Sequence, residues 1–293
     1  MNRKAKADFM LLMITIFWGA SYILTKIGLE TFEPFNLIAL RFIIAFGISA
    51  IVFKKQVFKT DVRTIKYALI LSIILFGVFI SMTFGLKYIS ASNAGFLISL
   101  SVVLIPVISF IFLKQKIDKK VIGGVCLALI GIALLTLNTE LRLSSGDILC
   151  ILCALLFATH IVVTSIFTQK VDSIALGVLQ LGFVGIFSVV FSMLIETVKL
   201  PSNTTSWFVV LSLSILCTAV GYIVQTTAQQ YTSATHTGLI LSLEPVFSAV
   251  FAYVFLGEIL TKKGYVGAVI LLLSVLIAEL DFKKKSQPQS VYK

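Results

Sequence analysis

Apolar residues run along this chain in long blocks nearly free of charge, separated by short polar interruptions. A spanning helix needs about 20 mostly apolar residues. Such runs fall at about 8–28, 35–53, 67–86, 93–113, 121–137, 147–168, 174–196, 207–229, 237–256 and 264–281. The pattern predicts an all-α integral membrane protein with ten transmembrane helices. The connections leave no room for a soluble domain of useful size.

The blocks repeat. With a shift of 139, the "FWGASYILTK" segment starting at Phe17 lines up with the segment starting at Leu156, so that Trp18 falls on Phe157, Ser21 on His160 and Thr25 on Thr164. Further on the shift is 143. There Tyr88, Gly95, Ser99, Lys119, Lys120 and Gly124 meet identical residues at Tyr231, Gly238, Ser242, Lys262, Lys263 and Gly267. In a hydrophobic sequence the glycine and polar matches are the informative ones, and self-similarity of this kind marks a duplication. The predicted domains are a first five-helix repeat over 8–137, a second over 147–281 and a basic cytoplasmic tail over 282–293. An odd number of spans per copy makes the second copy enter the membrane from the other side, giving two inverted five-helix repeats as in many secondary transporters.

Composition agrees: 58% of residues are hydrophobic and 13% charged, against about a quarter charged in soluble domains. The formal charge of +11 raises the question of nucleic acid, but the basic residues cluster in particular loops and report topology instead. With the N-terminus inside, 17 Lys and Arg fall on cytoplasmic segments and six outside, and Arg41 lies within a helix. Both termini are therefore expected in the cytoplasm, with the protein multi-pass in the cytoplasmic membrane. The opening residues imitate a secretory signal, yet the same segment recurs as the sixth helix, so it is expected to stay as a span. The tail after Leu280, with its lysines and polar residues, is expected to be solvated.

Glycine and alanine recur at spacings of three and four in the fifth span (Gly124, Ala128, Gly131) and the start of the tenth (Gly264, Gly267, Ala268). Such spacing lets helix backbones approach closely. These two spans are expected to brace each half or to join two copies as a homodimer. Cys150 and Cys153 form a CxxC pair on one helix with no second pair or histidine cluster nearby, which points to packing rather than metal.

Polar residues at membrane depth usually face the bundle interior or a water-filled cavity. They gather on corresponding helices of the two copies: Trp18, Ser21 and Tyr22 with Thr159 and His160; Ser81 and Thr83 with Tyr222, Gln225, Thr226 and Gln229; Asn93, Ser99 and Ser101 with Ser242 and Glu244. Those three pairs are expected to line a central cavity. Glu244 followed by Pro245 is the sharpest signal. An ionised carboxylate there costs about 2.5–3.5 kcal/mol on the insertion scale, and the proline frees a carbonyl one turn earlier. The equivalent position in the first copy is Ser101, with Pro106 a turn later, so the carboxylate is asymmetric. The candidate substrate-binding residues are Trp18, Ser21, Tyr22, His160, Tyr222, Gln225 and Glu244, and Glu244 is also the candidate for proton coupling. Arg41 could attract an anionic group, pair with an acid or extend to the outer headgroups. Glu258, at the membrane boundary opposite Gln115 of the other copy, is expected to be structural.

The stretches "FLISLSVVLIPVISFIFLKQK" and "GLILSLEPVFSAVFAYVFLGEIL", with the "FWGASYILTK" opening, resemble EamA-type members of the drug/metabolite transporter superfamily over practically the whole chain. The resemblance implies a ten-helix carrier with two inverted repeats, a central substrate cavity and export of amino acids, metabolites or drugs. The first copy departs from the pattern at Gln115, where a glutamate is common, and lacks the Glu-Pro pair. The expected partners are a small-molecule substrate and the lipid bilayer, with no cofactor, metal or nucleic acid. A passive channel and an intramembrane enzyme are the alternatives. The enzyme lacks support because neither an HExxH nor a GxSxG motif is present, and no Walker A sequence provides for ATP.

The charge distribution makes a topological prediction. Single cysteines placed at Ser202 and Ser286 should label from opposite sides of the membrane, the second from the cytoplasm; labelling of both from one side would refute the ten-span inside-inside arrangement.

Overall fold

A computed structural model describes residues 3–89, 91–114, 119–136, 144–256 and 262–282. Gln115, Glu258 and the tail beyond Phe282 lie outside the described residues. Among the described residues the chain is helical throughout, without strands. The elements are α1 (Arg3–Gly28), α2 (Pro34–Val52), the short α3 (Lys54–Phe58), α4 (Val62–Tyr88), α5 (Ala91–Ser99), α6 (Ser101–Leu113), α7 (Lys119–Thr136), α8 (Ser145–Phe167) and α9 (Ser173–Ile195). There follow α10 (Thr204–Ser212), a π-helical segment (Leu213–Val220), α11 (Gly221–Gln229), α12 (Ala234–Leu241), α13 (Glu244–Leu256) and α14 (Lys262–Phe282).

Seven of the described stretches are long and apolar enough to cross a membrane: α1, α2, α4, α8, α9, the continuous Thr204–Gln229 and Ala234–Phe251. Leu97–Phe112 and Ile122–Leu134 are shorter apolar helices. Their ends follow local chemistry. Asp61 accepts from Thr64 N at 2.9 Å and Asp172 from Ala175 N at 2.7 Å, while Ser144 with Asp147 and Asn203 with Ser206 close capping boxes. Each satisfies N–H groups that a first helical turn leaves unpaired. The start of α2 has no such local acceptor. Glu196, just past α9, caps it from a distance by accepting from Phe35 N at 3.0 Å and Asn36 N at 2.7 Å.

Two of the helical stretches are broken near their middles. α5 gives way to α6 at Leu100, and α12 to α13 at Ser242 and Leu243. In the second case Pro245 cannot donate to the carbonyl four residues back, which ends the ladder there. Ser99, just before the first break, and Ser242, in the second, turn their hydroxyls onto their own helices, Ser99 to Gly95 O at 2.7 Å and Ser242 to Leu239 O at 2.6 Å.

Packing places α1 among helices of the second half. It runs against α13, α11, α12 and the π segment, as well as α4 and α5. Gly19 makes this possible: a Cβ there would lie 2.7 Å from Phe247 Cβ and 2.8 Å from Ser248 N on α13. α7 and α14, expected to brace each half or pair two copies, pack along each other. A Cβ on Gly131 would fall 2.8 Å from both Gly267 O and Leu271 N, so the small-residue stripes face one another inside a single chain. Cys150 and Cys153 are buried free thiols; Cys150 fills the space left by Gly85, in keeping with the packing role.

The α7–α14 seam is testable. Gly131→Leu should destabilise the purified protein by about 1–3 kcal/mol through overpacking, read as a fall in melting temperature, whereas Gly123→Leu, which has open space around it, should leave the melt unchanged or raise it.

Candidate functional site

The eighth hydrophobic run is where the helix changes register. Across the π segment the Thr218 hydroxyl donates to Leu213 O, five residues back, at 2.8 Å. π-bulges loosen the α-helical ladder and recur at functional sites. The Cys217 carbonyl is met by Trp18 of α1, whose Nε1 donates at 2.7 Å. The indole reaches it because position 221 is glycine: a Cβ there would lie 2.5 Å from Trp18 Nε1.

An aromatic cluster surrounds this contact. Trp18 lies 5.1 Å from the Tyr222 ring and 6.0 Å, edge-on, from Phe157. Tyr222 touches Phe79 at 5.9 Å, His160 at 6.0 Å and Phe42 at 6.4 Å. Arg41 stands beside it. Its Nε donates to Thr218 Oγ1 and its Cζ lies 4.7 Å over the Phe79 ring. Arg41 is 3% exposed, so it does not reach the headgroups. The sequence had assigned the cavity wall to the first, third and fourth spans and their counterparts; α2 contributes as well, through Arg41 and Phe42.

Glu244 occupies a second part of the site. It faces the phenolic oxygen of Tyr22 as a side-chain hydrogen-bond partner and lies within electrostatic reach of Arg41. Together with Ile98, Ser99, Ser101, Phe157, Gly238 and Ser242 it lines a void of ≈ 10 Å³ where the two helix breaks meet. That is about the space of one water, so the site is closed. Ser99 opposite Ser242 and Ser101 opposite Glu244 are the pairs matched by the 143-residue shift. Phe157 belongs to both parts and joins them.

His160 and Gln225 sit in hydrogen-bonded chains. His160 Nε2 meets Gln180 Oε1 at 3.0 Å, and Gln180 Nε2 donates to Thr226 Oγ1 at 3.1 Å. Gln225 Nε2 donates to Gln229 Oε1 at 3.0 Å, and Gln229 Nε2 donates to Ile161 O and Ser165 Oγ at 2.8 and 2.9 Å. All four of His160, Gln180, Gln225 and Gln229 are fully buried. Gln225 Oε1 has no hydrogen-bond partner among the described residues. Ser21 is buried on α1 between Trp18 and Tyr22. The structure thus gathers Trp18, Tyr22, His160, Tyr222 and Glu244 around one centre, with Gln225 one turn below Tyr222.

Sequence reasoning missed Gln180, Thr218 and Phe157, although the match of Phe157 to Trp18 was a signal for the last. It also missed Asp8, whose Oδ1 lies 3.2 Å from His236 Nε2 in a buried contact between α1 and α12. Among the described residues no group of three or more His, Cys, Asp or Glu is placed to hold a metal ion.

Many apolar helices around a closed, aromatic-lined centre with isolated charges describe a multi-span membrane protein with an internal site. Residues 5–137 and, again, 144–280 match the EamA-like transporter family, and the chain belongs to that family: it is a transporter, not an enzyme. An uncharacterised transporter of Archaeoglobus fulgidus is 33% identical over 95% of this chain and 87% of its own length. A probable amino-acid metabolite efflux pump of Salmonella typhimurium is 24% identical over 95% of this chain and 96% of its own. A solved crystal structure superposes with a TM-score of 0.80 at 16% identity, over 97% of this chain and 99% of that one; it shows a shared fold.

The His160–Gln180–Thr226 chain carries its own prediction. Gln180→Leu strips partners from two buried groups and should cost about 1–3 kcal/mol, measured by thermal unfolding; Thr159→Val, which removes a hydroxyl bonded only to Leu155 O of its own helix, should not.

Proposed function

We propose that the chain is a secondary transporter of ten spans, built from inverted repeats over 8–137 and 147–281, with both termini and the 282–293 tail in the cytoplasm. It exports small metabolites, amino acids or drug-like compounds across the cytoplasmic membrane by alternating access. The observation that carries this reading is the meeting of two equivalent helix breaks, Leu100 and Ser242–Leu243, around one void. Inverted-repeat carriers bind substrate near the midplane on such discontinuous helices, where unwound backbone offers polar groups. The name of the Salmonella relative favours export.

In this reading Trp18, Ser21, Tyr22, His160, Tyr222, Gln225 and Glu244 form the substrate site, and Glu244 also exchanges a proton during the cycle. Trp18 and Tyr222 supply the flat apolar wall. His160 and Gln225 hold Tyr222 and the lower wall in place through their chains, and the spare Gln225 oxygen offers an acceptor. The decisive experiment is a metabolite screen in proteoliposomes with and without an imposed pH gradient. Saturable counterflow marks a carrier, and flux without saturation marks a channel.

With a substrate in hand, Trp18→Ala and Tyr222→Ala should each lower transport at least about tenfold, the order of an aromatic contact together with its buried area, while membrane insertion persists. Glu244→Gln keeps the shape but cannot ionise: net transport should stop while substrate-for-substrate exchange continues. Full net transport with the parent's pH dependence would remove Glu244 from the coupling role.

A further inference from the structure

Arg41 is a buried charge with no ion-pair partner among the described residues. It lies in a helix whose other residues are almost all apolar, with 3% of its surface exposed. A guanidinium stays protonated and offers five N–H donors. One of them, on Nε, is taken by Thr218. Among the described residues the ion pairs are Lys87 with Glu33 and His236 with Asp8, so Arg41 has no carboxylate within 4 Å. Glu244 is near enough to influence it electrostatically but does not pair with it. Charged groups at membrane depth are costly and mark sites where a partner is met.

We propose that Arg41 recognises a carboxylate on the transported molecule, so that the substrates of this carrier carry a carboxylate beside an apolar body. The proposal rests on the carrier reading above and adds the substrate class and the residue that selects it. The geometry defines how the group is held. The Thr218 hydroxyl donates a hydrogen bond to Leu213 O and accepts one from Arg41 Nε, which fixes the guanidinium plane and leaves its Nη1–Nη2 end for a two-oxygen acceptor. A carboxylate matches that fork with two parallel hydrogen bonds, whereas an amide or a single oxygen does not. Phe79 covers one face of the guanidinium at 4.7 Å, and the Phe42, Tyr222 and Trp18 rings continue the wall toward the helix breaks, where an apolar side chain would lie. Thr218 is a positioning residue here, and Arg41 contacts the substrate.

The rival role for Arg41 is a staple that merely holds α2 to the π segment. The two roles differ in selectivity. The chain has two tryptophans, so Trp207→Phe, on the exposed side of α10, leaves Trp18 as the only indole reporter. Four probes share one branched body: L-leucine and 4-methylpentanoate carry a carboxylate, and L-leucinamide and 3-methylbutylamine do not. In full-length protein reconstituted in nanodiscs, the two acids should change Trp18 emission saturably and the two others should not. Arg41→Lys keeps the charge but loses the fork, and should weaken the acid response about tenfold with the amide and amine traces unchanged. Arg41→Met should abolish the acid response; should it fail to fold, Arg41→Lys decides alone.

A response to the amide and amine equal to that of the acids, no response to either acid, or an Arg41→Lys loss that is equal across all four probes would overturn the proposal. The carrier reading fails differently, as the absence of saturable counterflow with every compound of the metabolite screen. Counterflow that ignores the carboxylate would overturn the assignment of Arg41 and leave the carrier intact.

Discussion

A backbone carbonyl at membrane depth has no water to turn to, and the hydrogen bond from Trp18 Nε1 to Cys217 O at 2.7 Å answers that constraint where the ladder is loosest. The π register of Leu213–Val220 frees backbone groups that an α-helix would have satisfied, and leaving one unpaired in hydrocarbon costs several kcal/mol. The indole that fills the need comes from the first half of the chain and its acceptor from the second. One contact therefore holds α1 in place, forbids a side chain at Gly221 and sets where the Tyr222 ring stands. Much of the aromatic centre follows from this placement.

The charges obey a related logic. His160, Gln180, Gln225 and Gln229 are polar and fully buried, and neighbouring helices meet them with chains of hydrogen bonds. Such chains hold a bundle in one arrangement because every member depends on the next. Arg41 and Glu244 are treated differently, each held by a single neutral side chain, Thr218 and Tyr22. Among the described residues neither lies within ion-pairing distance of an opposite charge. The hydrogen-bonded chains run between α8, α9 and α11, whereas Arg41 stands on α2 and Glu244 on α13.

The sequence made the apolar runs legible, because length and hydrophobicity alone decide which segments suit a bilayer. The Glu244–Pro245 break was legible for a local reason, the missing donor of proline. The break at Leu100 was less so, since Pro106 lies within α6 and no breaker occupies the break itself. The π segment left no mark at all. Its residues, LSILCTAV, would suit an ordinary α-helix, and only the tertiary contacts of Trp18 and Thr218 show the change of register. The pairing of α7 with α14 was half visible: the glycine stripes announced a close helix contact without naming the partner, because spacing describes one surface and not its complement. Arg41 stood out as a charge in an apolar run, but its burial against Phe79 depends on how α2 and α4 cross, which no local pattern records. Asp8, at the start of the first apolar run, drew no notice because its partner His236 lies more than two hundred residues away.

The π segment has a counterpart that lacks it. α4, the matching helix of the first half, runs unbroken from Val62 to Tyr88, whereas Thr204–Gln229 carries one turn that is wound too wide. In the carrier reading proposed above, the two end states arise as the halves exchange shapes, and identical halves would make those states two-fold related and equal in energy. On that reading the exchange is uneven, because the wide turn has no counterpart in α4. An empty carrier built this way would rest with a standing bias toward one side of the membrane, which a driving gradient works with or against.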